Sequence, residues 1–154
     1  MKFICPLLVV KDMDCSKRFY QDVLHAKVTV DLGANVTIEN AFALQTEESW
    51  LSFTGLAPDK VKTCPNQTEL YFEEPDYDGF LHRLESMTEI QYLHAPEEMP
   101  WGQRVVRFYD PDDHIIEVGE PMDCVISRMR KQGLSEEQIA KRTGFSVQDL
   151  QKFE

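Results

Sequence analysis

A weak internal repeat at an offset of 64 residues constrains the fold of this chain more than any other feature. The apolar run Leu7–Val10 leads into Asp12-Met13-Asp14 and then an amphipathic stretch carrying Phe19, Val23 and Leu24. Tyr71–Glu73 leads in the same way into Asp76-Tyr77-Asp78 and a stretch carrying Phe80, Leu81 and Leu84. In each copy a strand feeds a helix whose first amides can be satisfied by aspartate carboxylates. Three strand-like segments follow each helix: Lys27–Leu32, Val36–Glu39 and Phe42–Gln45 in the first copy, and Glu89–His94, Arg104–Tyr109 and Ile115–Glu117 in the second. In the second copy, Pro96, Pro100 and Gly102 are read as breaking the connection between strands. The pattern predicts an α+β fold of two βαβββ units.

The units are expected at about residues 1–53 and 68–120 of a domain spanning 1–120. Residues 46–67 form a linker with a short helical turn around Trp50–Phe53. Residues 121–154 read as a helical tail packing on the body or on a dimer mate. Ser135 with Gln138, and Leu134 with Ile139, have the spacing of a capping box and a hydrophobic staple. Ser146 repeats the cap, and Gly133 and Gly144 end the preceding helices.

Charge narrows the function classes. The chain of 154 residues has a formal net charge of −11. From Pro121 onward six Lys and Arg stand against five Asp and Glu, so residues 1–120 carry −12. An acidic body repels nucleic acid and anionic membrane at long range. The tail resembles the opening of a helix-turn-helix, but Val147–Glu154 offers Lys152 against Asp149 and Glu154 and lacks a basic reading helix. No segment reaches the length of about 18 apolar residues needed to span a bilayer. The four cysteines, Cys5, Cys15, Cys64 and Cys124, include no C-x-x-C pair, so reduced thiols and a cytoplasmic location are expected.

The second copy closes on Asp110-Pro111-Asp112-Asp113-His114-Ile115-Ile116-Glu117-Val118. Pro111 and the flanking aspartates favour a tight reversal. Strand alternation then puts Glu117 on a face with Ile115, opposite Ile116 and Val118. A carboxylate at such a position is either a binding group or an energetic liability.

The paired βαβββ layout, the Lys17-Arg18-Phe19-Tyr20-Gln21-Asp22-Val23-Leu24 helix and the Phe108–Val118 motif together resemble the vicinal oxygen chelate superfamily. That superfamily includes glyoxalase, extradiol dioxygenases, and fosfomycin and bleomycin resistance proteins. The resemblance implies cupped mixed sheets that enclose a cavity, commonly in a homodimer. It also implies a divalent metal that chelates adjacent oxygens of a small substrate in a lyase, isomerase or dioxygenase reaction. Carried over position by position, the usual ligand sites fall on Cys5, Gln45, Glu69 and Glu117, of which Glu117 alone keeps the usual residue type. With a metal, Glu69 and Glu117 are the expected ligands. Without one, the two carboxylates would share a proton as catalytic acid and base, or hold a cationic ligand. Metal-free sequestration of a small molecule is therefore the alternative reading.

Cys5, Gln45, Tyr71, Trp101 and Arg104 complete the expected substrate-binding set. Tyr71 follows Glu69 by two residues and shares its face, and Trp101 is placed as a cavity wall. Arg104 is expected to pair with Glu117 or a ligand, with Arg107 as the other guanidinium able to reach an anion. Cys5, among Phe3, Ile4 and Leu7, is expected to be buried, and Trp50 either packs in the core or serves as a lid. His25, His82, His94 and His114 are read as non-catalytic, the last with its pKa raised by Asp112 and Asp113.

Overall fold

Each copy of the repeat folds into a four-stranded mixed sheet of the same strand order. The computed structural model describes residues 1–61 and 66–153. Cys64, Pro65 and Glu154 lie outside the described residues. The first unit comprises Met1–Gln67 with Asp110–His114, and the second comprises Thr68–Tyr109 with Ile115–Glu154.

In the first unit β1 (Leu7–Val10), β2 (Val28–Asp31), β3 (Asn35–Ile38) and β4 (Phe42–Thr46) are ordered β1-β4-β3-β2, with β1 and β4 parallel. Leu8, Val10, Val36, Ile38, Phe42 and Leu44 are buried on one face. There α1 (Met13–Leu24) packs through Tyr20, whose ring meets Phe42 at 5.2 Å. Asp12 caps this helix by accepting from the Cys15 amide, and His25 ends it in a left-handed conformation.

The helical turn expected around Trp50–Phe53 in the linker is part of a longer element, the two-turn helix α2 (Glu47–Thr54), capped by Thr46 and closed by Gly55. It has no buried residue and no apolar stripe, so hydrophobic periodicity could not mark its full extent.

The Asp110–His114 turn belongs to the first unit through a buried polar network. Asp110 accepts from the Tyr20 hydroxyl at 2.8 Å, from the Asp112 and His114 amides, and from His114 Nδ1 at 2.9 Å. Asp112 accepts from the Lys11 amide and from Ser16 Oγ. Burial disfavours the His114 imidazolium, yet Asp110, with help from Asp112 and Asp113, holds its pKa above the usual value. The leading partner is thus Asp110, which the sequence reading had not paired with it. Because the folded pKa lies above the unfolded one, this stabilisation is complete below about pH 6.5 and is lost as pH rises through the folded value. Urea denaturation at pH 6 and pH 8 is expected to give lower stability at pH 8. His114→Gln should flatten that difference, and an unchanged slope in the variant would refute the assignment.

The second unit contains β5 (Glu69–Glu73), α3 (Tyr77–Glu85), β6 (Tyr92–Glu98), β7 (Arg104–Tyr109) and β8 (Ile115–Gly119), in the strand order β5-β8-β7-β6. Asp76 caps α3 by accepting from the Gly79 amide, and a Cβ at residue 79 would lie 2.2 Å from the capping carboxylate. The sixth strand begins and ends later than expected and runs through Pro96. It pairs only with β7, and its register shifts on both sides of His94. An edge strand with irregular pairing can accommodate a residue that has no amide hydrogen.

The tail forms α4 (Met122–Lys131), α5 (Glu136–Thr143) and α6 (Val147–Leu150), and the capping box at Ser135 is complete. Val125, Ile126, Met129, Ile139 and Leu150 form a buried cluster, joined by Leu134, Phe145 and Phe153. The apolar tail residues therefore pack largely on one another. No described helix is long and apolar enough to cross a membrane.

Candidate functional site

Register places the sequence-predicted residues of the second sheet on two different faces. In the β7–β8 pair Tyr109 opposes Ile115, so Arg107 opposes Glu117. In the parallel β5–β8 pair Tyr71 aligns with Glu117. One face therefore carries Glu69, Tyr71 and Glu73, then Glu117 and Gly119, then Val105 and Arg107. His94 of β6 pairs with Arg107. The other face carries Val106 and Phe108, covered by α3 through Phe80 and Tyr77.

Arg107 organises the first face. Its Nε donates to Glu69 at 2.9 Å, its Nη2 to Glu117, and its Nη1 lies 3.3 Å from His94 Nε2. His94 Nε2 is also 3.5 Å from Glu97. Burial pushes the Glu117 carboxyl above its ordinary pKa. Arg107 opposes that rise, and the neighbouring Glu69 reinforces it. Glu69 itself is largely exposed.

Beside this cluster the Tyr71 hydroxyl donates to Glu73 at 2.9 Å and accepts from Gln103 Nε2 at 2.7 Å. Burial and Glu73 push its pKa up to about 12, so it is a neutral donor at physiological pH. Gln103 also donates to the Glu120 carbonyl, while its Oε1 accepts from Trp101 Nε1 at 3.0 Å. Tyr71 and Trp101 remain 48% and 39% exposed, which leaves aromatic surface for a ligand.

Residues 3–123 match the glyoxalase-like domain family. The chain belongs to that family, within the vicinal oxygen chelate superfamily. A crystal structure of a protein of unknown function from Agrobacterium tumefaciens str. C58 is 36% identical to this glyoxalase-like chain. The match covers 79% of this chain and 94% of that one, with a TM-score of 0.70. A glyoxalase-related enzyme from Fulvimarina pelagi is 19% identical over 79% of this chain and 88% of that one, with a TM-score of 0.65. A lactoylglutathione lyase from Agrobacterium tumefaciens is 22% identical over 79% and 94%, with a TM-score of 0.58. The last two likenesses concern the fold. No curated protein matches the chain.

This glyoxalase-like domain departs from the expected site in several places. Arg104 does not pair with Glu117. It lies on the α3 face, above the Tyr77 ring at 5.0 Å, and binds Asp78 and Glu120. Strand alternation is the reason, because residue 104 differs in parity from residue 107, which opposes Glu117. Cys5 precedes β1 and is half-buried, while Phe3 and Ile4 are 80% and 74% exposed, so the apolar surround expected for it is missing. Gln45 is buried beneath α2, with its amide engaged by Ser49 at 2.9 Å and Asn35 at 3.5 Å. Both belong to the first unit. Trp50 is half-buried within α2. His94, read with the other histidines as non-catalytic, lies beside Arg107.

The donor set does not fit the divalent metal that the resemblance implies. Among the described residues no three His, Cys, Asp or Glu side chains are gathered so as to hold a metal ion. The Arg107 guanidinium fills the space between Glu69 and Glu117 and blocks a metal ion from bridging the two carboxylates. This face offers a buried carboxyl with a raised pKa, a guanidinium, an imidazole and two half-exposed aromatic rings.

Gln103 was absent from the sequence reading, and Gly119 explains how it reaches Tyr71. A Cβ at residue 119 would stand 2.9 Å from Gln103 Nε2 and 3.3 Å from the Tyr71 ring. Gly119→Ala is expected to displace the Gln103 amide. A change in position of the Gln103 side-chain amide signals in a nitrogen-resolved NMR spectrum would verify this, and unchanged signals would contradict it.

Proposed function

We propose that this glyoxalase-like protein binds a small, partly aromatic cation on the Glu69–Tyr71–Glu117 face without using a metal. The exposed Glu69 and Glu73 carboxylates beside the half-exposed Tyr71 and Trp101 rings carry this reading, while the Arg107 fork takes the position between Glu69 and Glu117 that a metal would need. Glu69, Glu73, Glu97 and Glu117 lie on or beside the face against the Arg107 guanidinium, so carboxylates outnumber it there. Tyr71 and Trp101 supply ring faces that attract cations. A ligand ammonium would take the exposed side of Glu69 and Glu73 and leave the Arg107–Glu117 contact in place. Superfamily members named as bleomycin resistance proteins make sequestration of a small molecule a natural role for this arrangement.

Calorimetric titration with phenyltrimethylammonium and benzenesulfonate tests the proposal. The cation is expected to bind saturably, in the presence of chelator, and about 10-fold more weakly to Glu69→Gln, a difference of about 1.4 kcal/mol. Equal binding of the two probes would sink it.

A second reading rests on the raised Glu117 pKa, which suits a proton donor and acceptor. If the face also catalyses proton transfer on its ligand, Glu117→Gln abolishes turnover and leaves affinity nearly unchanged. If it is a binding face alone, there is no turnover to abolish.

A further inference from the structure

The family match ends at residue 123, the second residue of α4, yet the residues just beyond it reach back to the turn that carries Trp101 and Gln103. Arg128 Nη2 donates to the Gly102 carbonyl at 2.6 Å and to Glu120 at 2.8 Å, and its Nη1 donates to Glu98 at 3.1 Å. Arg142 of α5 also binds Glu98. Gly102 has φ +90°, and a Cβ there would lie 2.0 Å from Met129 Cε, so the turn packs directly against the buried apolar cluster of the tail. The turn is closed by the Met99 amide donating to the Gln103 carbonyl and the Gly102 amide donating to the Met99 carbonyl, each at 2.7 Å.

The two ends of this turn bear on the ligand face. Trp101 Nε1 donates to Gln103, and Gln103 donates to the Tyr71 hydroxyl and the Glu120 carbonyl. Glu120 is the point where the turn, β7 and the tail meet. Burial alone would raise its pKa, but Arg104 and Arg128 more than offset this and hold it below the ordinary value, so it stays ionised between them. Every contact in the series lies within the second unit.

We propose that the C-terminal helical extension is a positioning element for the ligand face, in which Arg128 and Met129 fix the Met99–Gln103 turn and thereby orient Trp101, Gln103 and Tyr71. This inference rests on the function proposed above, with Arg128 as a positioning residue that touches no ligand. A site whose supporting contacts are loosened by about 1 Å keeps its residues but loses much of its affinity. Arg130 provides the comparison. It lies on the same helix and donates to Glu136 and to the Leu150 and Phe153 carbonyls, binding the tail helices to one another.

The chain has two tryptophans, Trp50 and Trp101, so two indole cross-peaks are expected, and Trp101→Phe assigns them. The experiment compares full-length Arg128→Met, Arg128→Lys and Arg130→Met by Trp101 Nε1–H position and solvent exchange, phenyltrimethylammonium affinity and urea denaturation. Arg128→Met is expected to shift the Trp101 cross-peak, speed its exchange and weaken probe binding about 10-fold. Arg128→Lys, which keeps a cation for Glu120 but not the fork, should fall between wild type and Arg128→Met. Arg130→Met should lower stability while leaving the Trp101 signal and the affinity as in wild type. An unmoved Trp101 signal in Arg128→Met overturns the inference, as does an equal response to Arg130→Met. Should wild type fail to bind the probe, the proposed function fails, and the ligand-free Trp101 signal still decides whether the tail positions the turn.

Discussion

Arg107→Met is expected to destabilise the protein by about 3 kcal/mol at neutral pH, because it leaves the buried Glu117 carboxylate facing Glu69 with no cation between them. Glu69 is exposed enough for water to offset part of the loss, so most of the cost falls on Glu117. The pH dependence identifies the cause. With Arg107 gone, burial and Glu69 drive the Glu117 pKa further above its ordinary value. A folded pKa above the unfolded one means that stability falls as pH rises through the unfolded value, near 4.5, up to the folded one. The variant should therefore lie closest to wild type near pH 4 and furthest below it at pH 7. Urea denaturation across that range reads the difference directly. A constant gap between the two proteins would show that Arg107 contributes packing rather than charge.

Asp110→Ala should cost about 3–5 kcal/mol, the range seen when a buried network loses its shared acceptor. The carboxylate receives bonds from Tyr20, His114 and two amides of its own turn. Truncation leaves the Tyr20 hydroxyl buried without its acceptor and removes the leading cause of the raised His114 pKa. Asp110→Asn keeps the shape and one acceptor oxygen and should cost less, while returning His114 toward its ordinary pKa. Calorimetric midpoints for the two variants, together with an NMR titration of His114, separate lost bonding from lost charge. Equal midpoints for wild type and Asp110→Ala would mean that the turn is held by its backbone alone.

Much of the fold was legible because its information is local. The aspartate caps at Asp12 and Asp76 and the Ser135 capping box each act within a few residues of chain, each appears in the structure, and the repeat built from such local signals appears as the matching strand order of the two sheets. The error at Arg104 concerns a relation that was also readable. With Tyr109 opposite Ile115 across the Asp110–His114 turn, counting back two residues on one strand and forward two on the other brings Arg107 to Glu117. Strand parity then sends Arg104 to the helix-covered face. Gln103 was not readable, because its approach to Tyr71 depends on the parallel β5–β8 register and on the absence of a side chain at Gly119. No turn chemistry sets that register. The extent of α2 beyond the turn expected at Trp50–Phe53, and the strand through Pro96, escaped for a related reason, since neither shows the periodicity by which a buried face is recognised.

With the Arg107 guanidinium standing on this face where the superfamily resemblance implies a divalent ion, the protein is expected to take up no metal. The most direct measurement is calorimetric titration of chelator-treated wild type and Arg107→Met with manganese, nickel and zinc, followed by elemental analysis after dialysis. The expected result is no stoichiometric metal on wild type and unchanged phenyltrimethylammonium binding in the presence of chelator. One equivalent of tightly held metal on wild type, lost in Glu117→Gln, would contradict it.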